Sequence, residues 1–306
     1  MPSTIPFRIS PMLATLVDKP FHRDNWVYEE KYDGVRMLAY KEGSKVTLLS
    51  RNNVQRNARY PEIAKAVAAL KAETLLLDGE IVVFDAKKVS RFQLLQQGKG
   101  QPQYAIFDCL YKNGEDLRNK PLGKRRVTLE ASVKPTKLLL LSARVAENGL
   151  KAFEIAKRRG FEGIVAKNLA SVYVSRRSPE WLKVKVNHQE EFVIGGFTEP
   201  WGSRKHFGAL LLGRYNGKSL EYVGKVGTGF DEQTLAALHR KFHRLERAKS
   251  PFAGEVREKG AHFLSPKLVA QISFTERTRE GKLRHPVYLG LRDDKTAREV
   301  LQQGDQ

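Results

Sequence analysis

The sequence predicts an α+β protein built from two domains. Its 306 residues are enough for two domains that each bury a core of their own. Strand-length apolar runs bounded by turn residues outnumber helical patterns along the chain. The pattern also changes near residue 187, after which short strands separated by glycine turns follow. We therefore predict a first domain over residues 1–188 and a second over residues 189–306.

The first domain shows strand patterns with two helices among them. Strands are predicted at 26–29, 35–40 and 45–50, and a helix begins at Pro61, because proline is favoured in a first helical turn. The run 74–85 is apolar on both faces and predicts a buried central strand, or two strands that meet at Gly79. Further strands are predicted at 104–111, 163–167 and 181–186, and a helix at about 148–159 ends at Gly160.

The second domain is predicted to be a small closed β-barrel such as an OB-fold. Its strand patterns lie at 192–197, 208–215, 220–226, 267–275 and 287–291, and one amphipathic helix lies at about 231–247. Short strands with glycine turns and a single helix are typical of that barrel.

The net charge is the strongest global signal. Lysine and arginine number 54 against 34 aspartate and glutamate, which gives a formal charge of +20. A folded protein this basic is expected to bind a polyanion, and nucleic acid is the leading candidate. A merely solvated basic surface is the alternative. Membrane-surface binding ranks lower, because no long basic amphipathic helix with bulky apolar residues is present in the sequence.

Composition also excludes several classes of site. The single cysteine, Cys109, rules out an internal disulfide and a cysteine-rich zinc site. No run reaches the roughly 18 apolar residues of a membrane span, and residues 1–10 lack the pattern of a signal peptide. We expect a cytoplasmic protein that does not enter a membrane.

Several polar residues interrupt apolar strands, where each costs stability unless it is paired or used. Glu29 and Lys31 are two apart on a strand, so their side chains point to one face, and the same holds for Lys183 and Lys185. The others are Arg51, Glu80, Phe107 and Glu162. Together they offer a nucleophile, cations for phosphate, a carboxylate for a metal and a ring on which a base can stack. For each residue alone, a half-exposed ion pair is the alternative.

Taken in order, these residues lie in a set of motifs that resembles the covalent nucleotidyltransferases, and specifically the ATP-dependent DNA ligases. The first motif is Lys-Tyr-Asp-Gly-Val-Arg at 31–36, and the rest follow at 50–52, 78–80, 105–108, 162–167, 181–185 and 292–295. The segments 10–14, 195–200 and 227–230 resemble the ligase module of bacterial end-joining ligases. Whether the chain is a free-standing enzyme or a module of a larger protein is left open.

The resemblance implies a nucleotidyltransferase (adenylation) domain with antiparallel sheets, followed by an OB-fold domain. It implies that Lys31 attacks the α-phosphate of ATP to form lysyl-AMP, that the AMP moves to the 5′-phosphate of a nick, and that the 3′-hydroxyl displaces it. Lys31 must attack as a neutral amine, so we expect Lys183, Arg36 and a divalent metal to lower its pKa.

The resemblance also implies roles around the nucleotide. Glu29 would read the adenine amino group, Phe107 would stack on the base, and Arg51 and Glu80 would hold the ribose. Arg36 would contact the nick phosphate or the ribose.

The phosphates are assigned to other residues. Glu162 would bind Mg²⁺ or Mn²⁺, while Lys183 and Lys185 grip the α-phosphate. In the second domain Arg292, Asp294 and Lys295 would orient the pyrophosphate leaving group.

Two basic loops are candidates for DNA contact, with Arg176 and Arg177 in one and Arg204 and Lys205 in the other. The expected partner is nicked duplex DNA, bound by a monomer that associates with the bacterial nucleoid. The resemblance adds a Ku-like end-binding protein as a possible recruiting partner. An RNA ligase or a capping guanylyltransferase is the alternative enzyme, and a basic OB-fold protein without activity is the non-enzymatic alternative.

Overall fold

The computed structural model describes residues 4–186, 188–274, 276–278 and 280–300. The chain divides into two compact units, Met1–Val186 and Asn187–Gln306. No helix in the described part of the chain is long and apolar enough to cross a membrane.

The first unit contains strands and helices in mixed order. Its strands are β1 (Leu13–Leu16), β2 (Trp26–Glu30), β3 (Val35–Glu42), β4 (Lys45–Ser50), β5 (Thr74–Val82), β6 (Gln103–Lys112), β7 (Glu115–Asp116), β8 (Leu139–Leu141), β9 (Arg144–Ala146), β10 (Gly163–Asn168) and β11 (Arg177–Lys185). Its helices are α1 (Pro61–Ala68), α2 (Phe92–Gln96), α3 (Leu122–Ser132) and α4 (Gly149–Arg159).

The strands of this unit form two sheets. Sheet I has the order β4-β3-β5-β6-β7, with β8 beside β6, and sheet II has the order β1-β11-β10-β2-β9. Neighbouring strands are antiparallel, as expected, except that β1 lies parallel to β11 and β8 lies parallel to β6. One buried cluster joins the two sheets and includes Leu38, Tyr40 and Phe107 of sheet I with Val27 and Trp181 of sheet II. Helices α1 and α2 pack against the other side of sheet I, and α4 packs against the other side of sheet II. Helix α3 contributes Leu122 to the cluster between the sheets and Leu129 to the cluster on the other side of sheet I.

The predicted central run forms one strand, β5, and not two strands that meet at Gly79. The glycine is required by packing, because a Cβ there would lie 2.5 Å from the Ala105 carbonyl oxygen and 2.5 Å from the Tyr104 ring. The β5–β6 register shifts around this point, so that Asp78 pairs with Asp108 and Gly79 pairs with Ile106. The shift is a β-bulge in β6, and Phe107 is its extra residue. A bulge changes the direction in which the side chain of the extra residue points.

Helix boundaries follow local chemistry. Helix α1 begins at Pro61 as predicted. Helix α4 begins after Asn148, whose side chain accepts hydrogen bonds from two backbone amides, and ends at Gly160, which has a φ of 76°. Helix α3 is not predicted by the sequence pattern because its buried face carries an arginine, Arg125, which is fully buried against Asp108.

The second unit has a bent sheet, sheet III, with one helix packed on it. Its strands are β12 (His188–Thr198), β13 (Leu210–Asn216), β14 (Ser219–Val226), β15 (Glu246–Arg247), β16 (Phe252–Ala253), β17 (Ala261–Phe274), β18 (Glu276–Arg277), β19 (Leu283–Arg284) and β20 (Val287–Leu291). Helix α5 (Glu232–Phe242) and a 3₁₀ turn (Ala297–Glu299) complete it. The strand order of sheet III is β15-β17-β12-β13-β14-β16, with β20 also paired to β17. Strands β18 and β19 form a separate two-stranded sheet. Register shifts in β12–β13 and β13–β14 accompany the bend.

This arrangement is an OB-fold, with two departures from the prediction. Among the described strands no pairing joins the two ends of sheet III, so the predicted closed barrel is not closed by hydrogen bonds. Helix α5 ends at Phe242 and not at 247, because the backbone of residues 246–247 pairs with β17 as the short strand β15.

Candidate active site

The register of sheet II brings distant motif residues onto one face. Val165 of β10 lies opposite Glu29 on one side and Lys183 on the other. One row along, Gly163 pairs with Lys185 and accepts a hydrogen bond of 3.0 Å from the Lys31 amide. Side chains alternate along a strand, and these two rows are two positions apart on each strand. The side chains of both rows therefore point toward the same side. That side faces sheet I, since Val27 and Trp181 on the same face belong to the cluster between the sheets.

Two motif glycines permit the close packing around Lys31. A Cβ at Gly34 would lie 2.2 Å from the Ile81 carbonyl oxygen, and a Cβ at Gly163 would lie 2.1 Å from the Val184 carbonyl oxygen. Any side chain would therefore push the Lys31 loop away from β5, or β10 away from β11.

The Lys31 ammonium donates a hydrogen bond to the Glu162 carboxylate and forms an ion pair with it. Glu162 is buried and the Lys31 side chain is 20% exposed. Burial lowers the pKa of Lys31, but the charge and hydrogen bond of Glu162, helped by Asp33 and Glu80, outweigh it and raise the pKa above its ordinary value. The expected lowering of the Lys31 pKa is therefore wrong, because Glu162 raises it.

Asp33 organises the loop after Lys31. Its carboxylate accepts a hydrogen bond of 3.2 Å from the Phe92 amide, and its own amide donates to the Ser90 hydroxyl at 3.0 Å. The same hydroxyl donates to Glu30, whose pKa burial raises to about 7. Glu30 precedes Lys31 and points to the opposite face of β2.

Glu29 is buried and is held by three side chains from other elements. One carboxylate oxygen accepts from the Arg126 guanidinium of α3. The other accepts from the Lys167 ammonium at 2.7 Å and from the Ser142 hydroxyl at 3.1 Å. Burial lowers the pKa of Lys167 in spite of the Glu29 charge beside it. Arg126 and Ser142 are not predicted from the sequence, because neither lies in a strand-borne motif.

The Phe107 ring is buried beneath two cations. The Arg36 guanidinium carbon lies 4.5 Å from the ring centroid, and the Lys167 ammonium nitrogen lies 4.1 Å from it. Trp181 meets the ring edge to face at a centroid distance of 6.1 Å. The bulge in β6 thus places the ring in the space between the sheets, beside the Glu29 cluster.

Arg36 is fixed by a bidentate pair with Asp78, at 2.6 and 2.7 Å. Asp78 also accepts from the Tyr173 hydroxyl at 2.7 Å, and that hydroxyl accepts from the Met12 amide at 2.9 Å. Burial lowers the Arg36 pKa, but Asp78 outweighs it and raises the pKa. Glu80 lies opposite Arg36 in the register of β3 and β5.

Arg51, also expected at the ribose, directly follows the last residue of β4. Burial lowers the pKa of Arg177, and the positive charge of Arg51 lowers it further. Arg176 and Arg177 are exposed, and the Arg177 guanidinium donates to the Ala14 carbonyl at 2.7 Å.

In the second unit the predicted pyrophosphate residues pair with their own neighbours. Arg292 donates to Asp294 at 2.8 and 2.7 Å and to the Gln271 side chain at 2.9 Å. Asp294 is buried, which raises its pKa, but Arg292 outweighs burial and the pKa is lowered. Lys295 donates to Glu191 at 2.5 Å.

The other predicted DNA-contact loop lies in the second unit. Arg204 donates to the Gly227 carbonyl at 2.6 Å, and Lys205 lies 3.5 Å from the Glu232 carboxylate. The loop also carries Trp201, whose surface is 95% exposed.

Two family models match the chain. Residues 11–185 match a model described as ATP dependent DNA ligase domain, and residues 203–295 match one described as ATP dependent DNA ligase C terminal region.

Several curated relatives are similar over most of the chain. The multifunctional non-homologous end joining protein LigD of Pseudomonas aeruginosa is 41% identical, over 97% of this chain and 37% of that protein. LigD of Mycolicibacterium smegmatis is 34% identical, over 97% of this chain and 40% of that protein. The chain therefore spans about two fifths of the length of these relatives. A DNA ligase-like protein, LigB, of a Bacillus subtilis prophage is 28% identical and matches over 97% of its own length.

Two solved structures are similar over nearly their full length. A mycobacterial DNA ligase D complexed with ATP and MES is 32% identical, with a TM-score of 0.74 over 98% of this chain and 100% of that one. The ligase domain of Mycobacterium tuberculosis LigD is also 32% identical, with a TM-score of 0.54 over the same shares.

Proposed function

This chain belongs to the family of ATP-dependent DNA ligases, and on that premise we propose that it seals nicks in duplex DNA through a lysyl-AMP intermediate on Lys31. The observation that carries the proposal is the shared face of sheet II. It holds Lys31, Glu29, Lys183 and Lys185 in adjacent rows, with Glu162 in contact with Lys31.

The first step is attack of the Lys31 nitrogen on the α-phosphorus of ATP. A phosphorus–nitrogen bond forms, the bond to the β-phosphate oxygen breaks, and pyrophosphate leaves with that electron pair. Lys183 and Lys185 lie in the rows beside Lys31 and offset the charge on the α-phosphate. The lysine must first lose its proton, which the contact with Glu162 opposes.

Glu162 fits the role of a metal ligand, and a bound metal would offset the charge by which Glu162 opposes deprotonation of Lys31. Among the described residues no three His, Cys, Asp or Glu side chains converge on one point, so Glu162 is the carboxylate that would hold Mg²⁺ or Mn²⁺ here. Mg²⁺ or Mn²⁺ would supply positive charge that offsets the Glu162 carboxylate and favours the neutral amine. Lys31 then leaves its ion pair as ATP binds.

The two later steps transfer the same AMP. An oxygen of the DNA 5′-phosphate attacks the phosphorus of lysyl-AMP, and the lysine nitrogen leaves with the electron pair. The 3′-hydroxyl then loses its proton to solvent and attacks the 5′-phosphorus. The bond from that phosphorus to the AMP oxygen breaks, and AMP departs with the electron pair as the strand is joined. The basic loops with Arg176, Arg177, Arg204 and Lys205 hold the DNA backbone. Arg292, Asp294 and Lys295 orient pyrophosphate during the first step.

We further propose that this sealing serves non-homologous end joining in bacteria, because the LigD proteins named above carry that function in their names. A Ku-like end-binding protein would then deliver the DNA ends to this nucleoid-associated ligase.

The test is covalent labelling with ATP. The protein is incubated with Mg²⁺ and ATP labelled at the α-phosphate, or with labelled GTP, and then receives nicked DNA or nicked RNA. We expect a label with ATP that passes to nicked DNA. Lys31→Ala should abolish the label, whereas Lys45→Ala, which removes an exposed lysine of β4, should keep it.

Other outcomes contradict the proposal. No label with ATP would refute the covalent step, and a label that passes only to RNA would indicate an RNA ligase. A label on the Lys31→Ala protein would show that another residue is the nucleophile.

A further inference from the structure

The buried carboxylate of Glu29 receives hydrogen bonds from two cations at once. Arg126 binds one oxygen, and Lys167 and the Ser142 hydroxyl bind the other. Glu29 is 1% exposed and Lys167 is 2% exposed, so water competes little for the contact between them, whereas the Arg126 side chain is 16% exposed. An isolated carboxylate this deep would be costly, and the two cations remove that cost.

We propose that Arg126, from helix α3, is a positioning residue that with Lys167 makes Glu29 a fixed hydrogen-bond acceptor, and so sets the preference of this site for adenine over guanine. The inference deepens the proposed function and rests on Glu29 as the residue that faces the base.

The preference follows from the hydrogen-bonding groups of the two bases. An ionised carboxylate only accepts hydrogen bonds, and it has about four acceptor positions. Among the described residues, protein donors occupy three of them at Glu29, which leaves about one for the ligand. Adenine presents an amino donor where guanine presents a carbonyl acceptor. Guanine would therefore place its carbonyl oxygen, an acceptor, against the acceptor oxygen of Glu29.

Arg126 is the better residue to test of the two cations. Lys167 also lies 4.1 Å from the Phe107 ring centroid, so replacing it would disturb the proposed stacking as well. Within the described part of the chain, the Arg126 guanidinium donates to Glu29 and, at 3.4 Å, to the Ser142 carbonyl. Its charge is permanent, and its flat donor edge fixes the direction of the carboxylate.

The experiment compares nucleotide preference in matched variants. Arg126→Met removes the charge, Arg126→Lys keeps it, and Lys124→Met removes an exposed charge from the same helix. For each variant, kcat and KM of covalent labelling are measured separately with ATP and GTP, and binding of both nucleotides is measured by calorimetry.

We expect Arg126→Met to raise KM for ATP and to lower the preference for ATP over GTP by about tenfold or more. Its kcat at saturating ATP should stay within about threefold of wild type. Arg126→Lys should recover part of the preference, and Lys124→Met should match wild type. Glu29→Gln, whose amide can also donate, should lose the preference too. Adding Arg126→Met to it should cause little further loss, because both changes act through one carboxylate.

Equal losses with ATP and GTP in Arg126→Met would overturn the inference and leave Arg126 a role in stability alone. A further tenfold loss of preference in the double variant would also overturn it. Binding separates this result from failure of the proposed function. A protein that binds ATP in preference to GTP but forms no label refutes the ligase proposal, and the preference of Arg126→Met still decides the inference.

Discussion

The ion pair between Lys31 and Glu162 predicts how adenylylation depends on pH. A lysine at its ordinary pKa of about 10.4 is neutral in about one molecule in a thousand at pH 7.4. The raised pKa of Lys31 makes its neutral fraction smaller still, and each unit of pH increases that fraction about tenfold. Because kcat/KM reports the groups of the unliganded enzyme, it should rise about a hundredfold between pH 7.5 and 9.5.

The assay is single-turnover labelling with ATP at fixed Mg²⁺ across that range. The value of kcat should level off at a lower pH than kcat/KM, because bound nucleotide and metal offset the Glu162 charge. The same ion pair stabilises the fold below about pH 10.4, and its contribution disappears as the pH rises through the raised pKa of Lys31.

Glu162→Gln separates the two roles proposed for Glu162. It removes the charge that raises the Lys31 pKa and leaves burial, which lowers it, so the profile of kcat/KM should bend at a lower pH. Loss of the metal ligand should reduce kcat by about a hundredfold. Glu154→Gln, on the exposed side of α4, is the control. A wild-type kcat/KM that is flat from pH 7.5 to 9.5 would refute this account of Lys31. So would a kcat/KM of Glu162→Gln that rises as steeply as wild type over that range.

Three further predictions concern DNA binding and stability. Replacing both Arg204 and Lys205 with alanine should weaken binding to nicked DNA. The slope of log affinity against log salt should fall by about one for each phosphate that is no longer bound, and titrations from 50 to 200 mM salt would show this change. Trp201→Ala should weaken nick binding several-fold with ATP labelling unchanged, because the exposed ring can stack on DNA but has no part in the first step; unchanged nick affinity would argue against this stacking. Arg125→Met should lower the free energy of unfolding in urea by about 3–5 kcal/mol, since it leaves Asp108 buried without its partner, whereas a loss under 1 kcal/mol would contradict that account.

The sequence predicts the central strands well because their patterns are local. Strands β4 and β20 have the predicted bounds, and helix α4 ends at the predicted glycine, Gly160. The pairing of β2 with β10 and of β10 with β11 is not local, yet the spacing of Glu29 and Lys31 already requires one shared face. The resemblance of the motifs, and not the spacing, predicts that these three strands lie side by side.

The surroundings of these residues could not be predicted in the same way. Arg126 lies on a helix whose buried face also carries Arg125, so its periodicity resembles that of an exposed segment. A buried arginine is explained only by its partner, and each partner here is distant in the chain, with Glu29 97 positions from Arg126. The bulge that turns Phe107 is likewise a property of the β5–β6 register and not of either strand alone.

The three ion-pair clusters of the site differ in how readily they open. Arg36 holds Asp78 through two bonds, and Glu29 is bound by two cations, so opening either would leave a buried charge with fewer partners. Lys31 is held by its hydrogen bond to Glu162 and keeps one fifth of its side chain exposed. A cation and a phosphate can replace both partners of that pair at once, each with a group of the required charge. Nucleotide binding should therefore begin by exchanging the Lys31–Glu162 contact, while the other two clusters keep their geometry.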